Sequence, residues 1–560
     1  MNSSVNRCTN SDATCRHISA AIPIWCLQSE GADMGRLKVV VAEKIAKSGI
    51  EGLSERYDVV DAVDRQRTEL LDLVVDASAI IVRSNTQVDR ELIEAAEKLM
   101  VIGRAGIGVD NIDLEAATER GVLVVNAPNA NTISAAEHTM AMLLAQARRI
   151  PEADRSLREG RWDRSTLSGI ELHGKTLGVL GLGRIGILVA QRAKAFGMNV
   201  VAYDPYVSSE RVRHLDVELM DLDDLFAAAD MVTIHLPRTP QTENIINKES
   251  IKKMKDDVRI VNVARGGLVN EQDLADAVRD GRVGGAAIDV FDSEPSTDSP
   301  LIGVTGIVVT PHLGASTREA QDKAGIAVAE AVGAALGGEL VLSAVNLDLG
   351  PDVSPELMPF VKLAENLGKI FAVFSGGLPD QLVVTSKGAL ADDPVKPIAL
   401  AALKGALSVT RDRPVSYVNA PIIARELGVS VVEEAQPEVS DYQSVVRISG
   451  TVAGRERTVA GTFMERKGAV LVGVDGYAIE VPLTDHMLLV RNDDVLGCIG
   501  RVGTYLADIG SNIADMVVGR APDGSAAMMG IALDAAISED ETAGLISLDG
   551  IHAARYIDLS

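Results

Sequence analysis

The stretch "TLGVLGLGRIGILVAQRAKAFGMNVVAYD", residues 176–204, constrains this chain more than any other. An apolar run precedes Gly181, Gly183 and Gly186 in the pattern G-x-G-x-x-G, a helical pattern follows, and a second apolar run ends at Asp204. Three glycines alone say little, but strand, turn, helix, strand and acid in this order form the dinucleotide fingerprint. Gly181 permits the tight turn, Gly183 lets a pyrophosphate approach the backbone, and Gly186 lets the helix close on the sheet. The helix N-terminus offers oriented N–H groups to phosphate charge. Asp204 is set to accept hydrogen bonds from ribose hydroxyls, and its charge would repel a 2′-phosphate, which favours NAD over NADP.

Such a unit demands a parallel sheet covered on both faces, and the rest of the first 345 residues reads accordingly. "LKVVVAE", "DVVDAV", "SAIIVRS", "LMVIGRA" and "GVLVVNAP" form one set of short apolar strands. "TLGVLGLG", "NVVAYDP", "DMVTIHLP", "VRIVNVARG", "GAAIDVF" and "GIVVTPH" form a second. Continuous rather than alternating apolar runs are the mark of buried parallel strands, so two doubly wound α/β domains are expected. Two long helices, "SAAEHTMAMLLAQARR" and "TREAQDKAGIAVAEAVGAAL", read as the connections between them. Ser134 with Glu137, and Ser316 with Glu319, have capping-box spacing at their starts, and Pro151 follows the first.

Beyond "NLDLGPDVSP" the character changes. Alternating strands such as "RTVAGTFMERKGAVLVGVDGYAIEV" indicate an α+β module, and the last stretch, from Met487, runs strand, helix, strand, strand, helix, strand, a ferredoxin-like order. The expected division is residues 1–33 as an extension or an early start before Met34, 34–133 with 317–345 as a discontinuous first domain, 134–316 as the dinucleotide domain, 346–486 as an intervening α+β domain, and 487–560 as the terminal one.

Length and charge limit the partners. At 560 residues the chain needs several cores. A formal charge of −25 argues against a nucleic-acid partner, and no stretch is long and apolar enough to suggest a membrane span, so a cytoplasmic life is expected. The segment "ISAAIPIWCLQ" is too short and too irregular for a secretory signal. Cys8, Cys15 and Cys26 precede the first strand, with only Cys498 in the body, so neither a disulfide framework nor, with His17, a zinc pattern is expected.

Three strand ends carry the chemistry. "VNVARGGLVNE" puts Arg265 at the carboxyl end of a strand of the second sheet, the edge where open α/β sheets bind ligands. A guanidinium there can grip a carboxylate through two parallel hydrogen bonds; the bland alternative is an arginine paired with a surface acid. "AAIDVFDSEP" supplies Asp289 and Glu294, and "VVTPHLGAST" supplies His312. If Glu294 holds one imidazole nitrogen of His312, the other can take a proton from a substrate hydroxyl. A satisfied structural histidine is the competing reading. Together the set suits oxidation of a 2-hydroxy acid.

"GLGRIG", "VNVARGGLVNE", "DVFDSEP" and "PHLGAST" resemble the motifs of the D-2-hydroxyacid dehydrogenases, and "VRSNT", "GRAGIGVDNIDLEAATERGVLVVNAPNANTISAAEHT" and "GRWDRS" resemble those of the branch that oxidises 3-phosphoglycerate. The resemblance covers residues 36–345 and implies a flavodoxin-like substrate domain beside a Rossmann NAD domain. It implies Arg265, Glu294 and His312 as catalytic residues. It implies NAD contacts at Ile107, Arg184, Ile185, Asp204, Val263, Ala264 and Asp289 besides the three glycines, and substrate contacts at Arg83, Arg104 and Asn131. The tail, with "FVKLAENLGKIFAVFSGGLPD", "VSYVNAPIIARELGV" and "RNDDVLGCIG", resembles the long form of that branch, whose intervening and ACT domains are regulatory. This implies L-serine as feedback effector, with Asn512 at its contact, and a homotetramer. Leu496 stands where that pattern has proline. Trp162 is either an interface residue, as the resemblance implies, or a core tryptophan. A glyoxylate or hydroxypyruvate reductase on the same fold, and a non-catalytic NAD-sensing scaffold, are the competing functions.

Overall fold

Parity along the apolar runs explains the first sheet. Within "KVVV" the side chains of Val39 and Val41 enter one buried cluster and that of Val40 enters another; Ile81 and Ile80 divide in the same way. Each strand therefore feeds two cores through the two-residue period of its pleat. This computed structural model describes residues 36–560, apart from 208–211, 213–214, 351–352, 411–414, 439–440 and 522–525. The expected N-terminal extension, with Cys8, Cys15, Cys26 and His17, lies outside the described residues.

Strands β1 (Lys38–Val41), β2 (Asp58–Asp61), β3 (Ala79–Val82), β4 (Val101–Arg104) and β5 (Leu123–Asn126) are all parallel, in the order β2-β1-β3-β4-β5. That is the flavodoxin-like order. One face is covered by the helix Arg318–Leu336, through Ala324, Val328, Val332 and Leu336. Gly103 on β4 makes this close approach feasible, because a Cβ there would stand 2.6 Å from the side chain of Val332.

The second sheet holds β6 (Thr176–Leu180), β7 (Asn199–Tyr203), β8 (Glu218–Leu219), β9 (Met231–Ile234), β10 (Val258–Asn262), β11 (Val283–Ile288) and β12 (Ile307–Val309), in the order β12-β11-β10-β9-β6-β7-β8. All its pairs are parallel, and the strand order reverses at β6, beside the glycine turn, where the fold class binds dinucleotides. The helix Thr132–Ala147 packs on this sheet through Ala136, Met140, Leu143 and Ala147. Each long helix thus covers the sheet opposite to the one the chain has just left. The return is sealed where Val345 N–H donates to Val124 O at 2.7 Å and Asn346 Oδ1 accepts from Val124 N–H at 2.8 Å.

The helix starts differ from the expected caps. The N-cap of Thr132–Ala147 is Asn131, and Ser134 lies buried inside the first turn with its Oγ 2.7 Å from Thr317 Oγ1. The second long helix is capped by Thr317, whose Oγ1 accepts from Ala320 N–H, rather than by Ser316. A tertiary hydroxyl pair has taken the group that a local capping box would have used. Pro151 sits in the first turn of a further helix, Ile150–Arg158.

A mixed sheet follows, β13 (Gln381–Gly388), β14 (Ser430–Gln436), β15 (Ser444–Val452), β16 (Arg455–Met464), β17 (Gly468–Val474) and β18 (Tyr477–Pro482), in the order β14-β13-β15-β16-β17-β18. The helices Met358–Ser375 and Val395–Ser408 cross against it at a pair of glycines. A Cβ on Gly368 would meet Ala402 O at 2.0 Å, and one on Gly405 would meet Glu365 O at 1.9 Å. The last sheet, β19 (His486–Asn492), β20 (Ile513–Arg520), β21 (Ala527–Leu533) and β22 (Ile551–Asp558), runs β20-β21-β19-β22 and is antiparallel throughout. With its helices Cys498–Asp508 and Glu539–Ile546 it is the ferredoxin-like βαββαβ arrangement. Among the described residues no helix is long and apolar enough to cross a membrane, and no cluster of His, Cys, Asp and Glu could hold a metal ion.

Candidate active site in the cleft between the first two sheets

The glycine turn has the geometry its sequence demands. Gly181 has φ +96° and a Cβ there would meet His235 O at 2.7 Å, while a Cβ on Gly186 would stand 2.0 Å from Gly181 O. Gly183 is different: nothing lies within 4 Å of its notional Cβ. It is the exposed N-cap of the helix Arg184–Ala195, where no side chain caps the free N–H groups. Exposed Arg184 and half-buried Ile185 open that helix. Asp204 follows β7, and its Oδ2 accepts from Leu182 N–H at 2.8 Å and its Oδ1 from Tyr206 N–H at 2.9 Å, so its carboxylate is held beside the turn. An open backbone, an uncapped helix and a fixed carboxylate fit a dinucleotide.

The carboxyl ends of both sheets border a cavity of ≈ 610 Å³. It gathers Arg83, Arg104, Ile107 and Asn131 from the first sheet's loops with Arg265, Glu294 and His312 from the second's. Val263, Ala264 and Asp289 do not line it, and Asn512 lies far along the chain, just before β20 of the terminal sheet, where its Nδ2 donates to Asp534 Oδ2 at 2.6 Å.

Arg265 leaves β10 on a loop that Asn262 ties down: its Nδ2 donates to Arg265 O at 2.9 Å and its Oδ1 accepts from Ala264 N–H at 3.0 Å. The two glycines that follow are obligatory. A Cβ on Gly266 would lie 1.8 Å from Phe291 O, and Gly267 has φ +79°. The nearest acid to Arg265 is Asp110, whose Oδ2 is 3.9 Å from Nε, too far for a committed pair.

Arg104 ends β4 with its Nε buried and without a hydrogen-bond partner among the described residues. Burial, and then repulsion from Arg265, push its guanidinium below the ordinary arginine value. Asn131 Oδ1 is likewise buried without a partner. Buried polar atoms are seldom left in this state; here a donor and an acceptor both border one cavity. The Arg83 loop is shaped by Glu43, whose Oε1 accepts from the N–H groups of Arg83 and Thr86 at 2.9 Å, and by Asn111, which donates to Arg83 O at 2.9 Å.

His312 follows β12 in the left-handed region, with φ 54°. Its Nδ1 is 2.5 Å from Glu294 Oε2, while Glu294 Oε1 accepts from Phe291 N–H at 2.9 Å. Burial works to raise the Glu294 carboxyl, but the hydrogen bonds from His312 and Phe291 outweigh it and hold the group below its ordinary value. The carboxylate only accepts, so Nδ1 carries the hydrogen and Nε2 presents its lone pair. Asp289 is fully buried beneath this loop, and its Oδ1 accepts from Leu313 N–H at 2.8 Å and its Oδ2 from Gly314 N–H at 2.9 Å.

Glu43, Asp110, Asn111, His138 and Thr310 border or support the site without having been read from the sequence. His138 and Thr310 lie inside the quoted motifs "SAAEHT" and "VVTPH", yet their contacts cross between elements and leave no local pattern.

Residues 140–314 match the family model for the NAD binding domain of D-isomer specific 2-hydroxyacid dehydrogenases, and residues 356–475 match that for the D-3-phosphoglycerate dehydrogenase intervening domain. The chain is 45% identical over 529 residues to the D-3-phosphoglycerate dehydrogenase of Mycobacterium leprae, covering 93% of this chain and 99% of that one. The enzyme of that name from Archaeoglobus fulgidus is 43% identical, at 93% and 100% coverage. Among solved structures, a glyoxylate reductase from Paecilomyes thermophila superposes with a TM-score of 0.51 at 30% identity, covering 56% of this chain and 99% of that one. A D-lactate dehydrogenase from Aquifex aeolicus, complexed with NAD and lactic acid, gives 0.50 at 26% identity, covering 56% and 100%. The reductase-like fold thus spans little more than half of the chain, whereas the likeness to the phosphoglycerate enzymes runs through the tail as well, and the chain belongs to the D-3-phosphoglycerate dehydrogenase family.

Proposed function

We propose that this protein oxidises 3-phospho-D-glycerate to 3-phosphohydroxypyruvate, the entry step of phosphorylated serine synthesis. One observation carries the reading: Arg104, a half-buried side chain whose buried Nε has no partner among the described residues, stands with Arg83 and Arg265 in the cavity that holds the His312–Glu294 pair. A dianionic phosphate and a carboxylate need more than one cation, and a guanidinium grips either through paired hydrogen bonds. NAD, when bound at the glycine turn, supplies the hydride acceptor. Arg83, Arg104 and Asn131 hold the substrate, Arg265 takes its carboxylate and polarises the C2 oxygen, and His312 Nε2 receives the hydroxyl proton. Glu294 fixes the ring's tautomer and stabilises it once protonated. The test is steady-state turnover with NAD on 3-phosphoglycerate against unphosphorylated glycerate. Equal kcat/KM on both would favour a glyoxylate or hydroxypyruvate reductase.

We assign the domains as residues 34–133 with 317–345, 134–316, 346–486 and 487–560, supported by the four sheets and the return of the chain at Val345. L-serine is the proposed effector of the terminal domain, near Asn512, and a homotetramer the proposed assembly. Trp162, 81% exposed, and Leu496, 99% exposed, are consistent with surfaces that another subunit covers. Serine that leaves turnover unchanged at millimolar concentration would remove it as effector. A soluble phosphorylated substrate and NAD favour the cytoplasm.

A further inference from the structure

We propose that His138 is a positioning residue for this reaction, acting through Asp289 and Thr310 to hold the backbone turn that presents His312. The inference rests on the functional reading above. His138 does not line the cleft. It projects from the helix Thr132–Ala147, with Nε2 3.2 Å from Asp289 Oδ1 and 3.3 Å from Thr310 Oγ1.

The hydrogen positions follow from the partners. Thr310 Oγ1 is 2.6 Å from Asp289 Oδ1, and its more distant neighbours able to accept are His138 Nε2, at 3.3 Å, and the Met142 sulfur, at 3.6 Å. A charged oxygen at the shorter distance takes the hydroxyl hydrogen. Both groups facing His138 Nε2 therefore present lone pairs, so Nε2 carries a hydrogen and the imidazole donates to the pair.

Asp289 thereby becomes a hub. Its carboxylate receives Thr310 Oγ1, the N–H groups of Leu313 and Gly314, and His138, while its backbone O accepts from His312 N–H at 2.8 Å. Burial opposes its charge, but the hydrogen bonds, first from His138 and then from Thr310, hold the carboxyl below its ordinary value. The turn it fastens carries His312 at φ 54°, a conformation that a non-glycine residue keeps only where its surroundings enforce it. Glu294 grips one ring atom, but the ring's place in the cleft is set by this backbone. A histidine that merely filled space in the helix packing would be indifferent to losing its donor; a positioning residue would not.

The experiment uses full-length protein with His138→Leu, His138→Gln and Thr310→Val, read by kcat, KM, thermal midpoint and the primary isotope effect on kcat with 2-deuterated 3-phosphoglycerate. Leucine deletes the donor. Glutamine Nε2 lies as many bonds from the backbone as the imidazole Nε2 and restores it. Thr310→Val removes the second side-chain donor to the same carboxylate while keeping the shape. Misplacing His312 should cut kcat about ten- to hundredfold in His138→Leu and Thr310→Val. The KM for 3-phosphoglycerate should stay within about twofold, since the arginines are untouched. The isotope effect should rise as chemistry becomes limiting, and His138→Gln should recover kcat to within about threefold. Wild-type kcat in His138→Leu, or equal losses in His138→Leu and His138→Gln, would overturn the inference. A wild-type enzyme inactive on 3-phosphoglycerate would sink the functional reading and this inference with it, whereas an active wild type with an indifferent His138→Leu sinks the inference alone.

Discussion

Glu294→Gln tests the proposed proton transfer most directly, because the change is isosteric and its two consequences can be worked out separately. The first is charge. With ring and carboxylate centres about 4 Å apart, the attraction between an imidazolium and a carboxylate lies between roughly 1 kcal/mol in water and 4 kcal/mol at a protein surface. The His312 side chain is 46% exposed and that of Glu294 34%, so solvent screening leaves about 2 kcal/mol, or roughly 30-fold in kcat. The second is geometry. The two Glu294 oxygens accept separately, from Phe291 N–H and from His312 Nδ1. Glutamine has one acceptor oxygen. If it stays with Phe291, its NH₂ faces Nδ1 and drives the ring to the tautomer with hydrogen on Nε2, which cannot take a substrate proton. The combined loss should reach about a hundredfold or more at neutral pH. The assay is kcat for 3-phosphoglycerate oxidation, with NADH binding followed by fluorescence as the control, since Glu294 lies away from the glycine turn. A variant within twofold of wild type, or one that loses kcat and NADH affinity in proportion, would refute the reasoning.

Arg104→Met should raise the KM for 3-phosphoglycerate about ten- to hundredfold through the lost charge-assisted hydrogen bonds. The same substitution should raise the thermal stability of the free protein, by about 1 kcal/mol, because it deletes a half-buried cation whose buried Nε has no partner among the described residues; a fall in midpoint would contradict the orphan-cation account. Gly266→Ala drives a Cβ against Phe291 O at 1.8 Å, and displacing the Arg265 loop by about an ångström should cut kcat roughly a hundredfold, measured beside a thermal melt. In the intervening module Lys404 Nζ donates to Glu365 Oε1 and Gly338 O at 2.9 Å, and Tyr417 OH donates to Glu365 Oε2 at 2.9 Å. Lys404→Met should destabilise by about 3–5 kcal/mol by stranding a buried carboxylate, and adding Glu365→Gln should recover most of it in denaturant titrations. Burial opposes the Glu365 charge, but Lys404 holds its carboxyl below the ordinary 4.5. Its contribution is therefore present above pH 4.5 and lost as pH falls through the lower folded value, an acid limb that Glu365→Gln should flatten.

What could be read from the sequence, and what could not, divides along the range of the interaction. Strand identity was legible because burial on both faces imposes continuous apolar runs, and Val39–Val41 or Ala79–Val82 admit little else. The gathering of Arg265, Glu294 and His312 on one cavity was legible because a parallel sheet brings the ends of its strands to one carboxyl edge, so position within a motif stands in for position in space. The start of the first long helix was misread for the converse reason: Ser134 pairs with Thr317 across the junction of the two long helices, and no local rule reports a partner so far along the chain, whereas the second cap lies one residue further on, at Thr317, where the Oγ1 caps Ala320 N–H locally. His138 escaped in the same way. Amid the apolar residues of its helix it looks like a core histidine, and its meaning lies wholly in Asp289 and Thr310 on the opposite side of the contact. Trp162 marks a further limit: at 81% exposure it is no core residue of this chain, and whether another subunit covers it is a property of an assembly rather than of a fold. Residues that touch the substrate are thus constrained by chemistry that a motif can carry, whereas residues that hold those in place are constrained only by geometry. The second kind should fail by losing kcat at unchanged KM, and that pattern should separate His138 from Arg104 in this molecule.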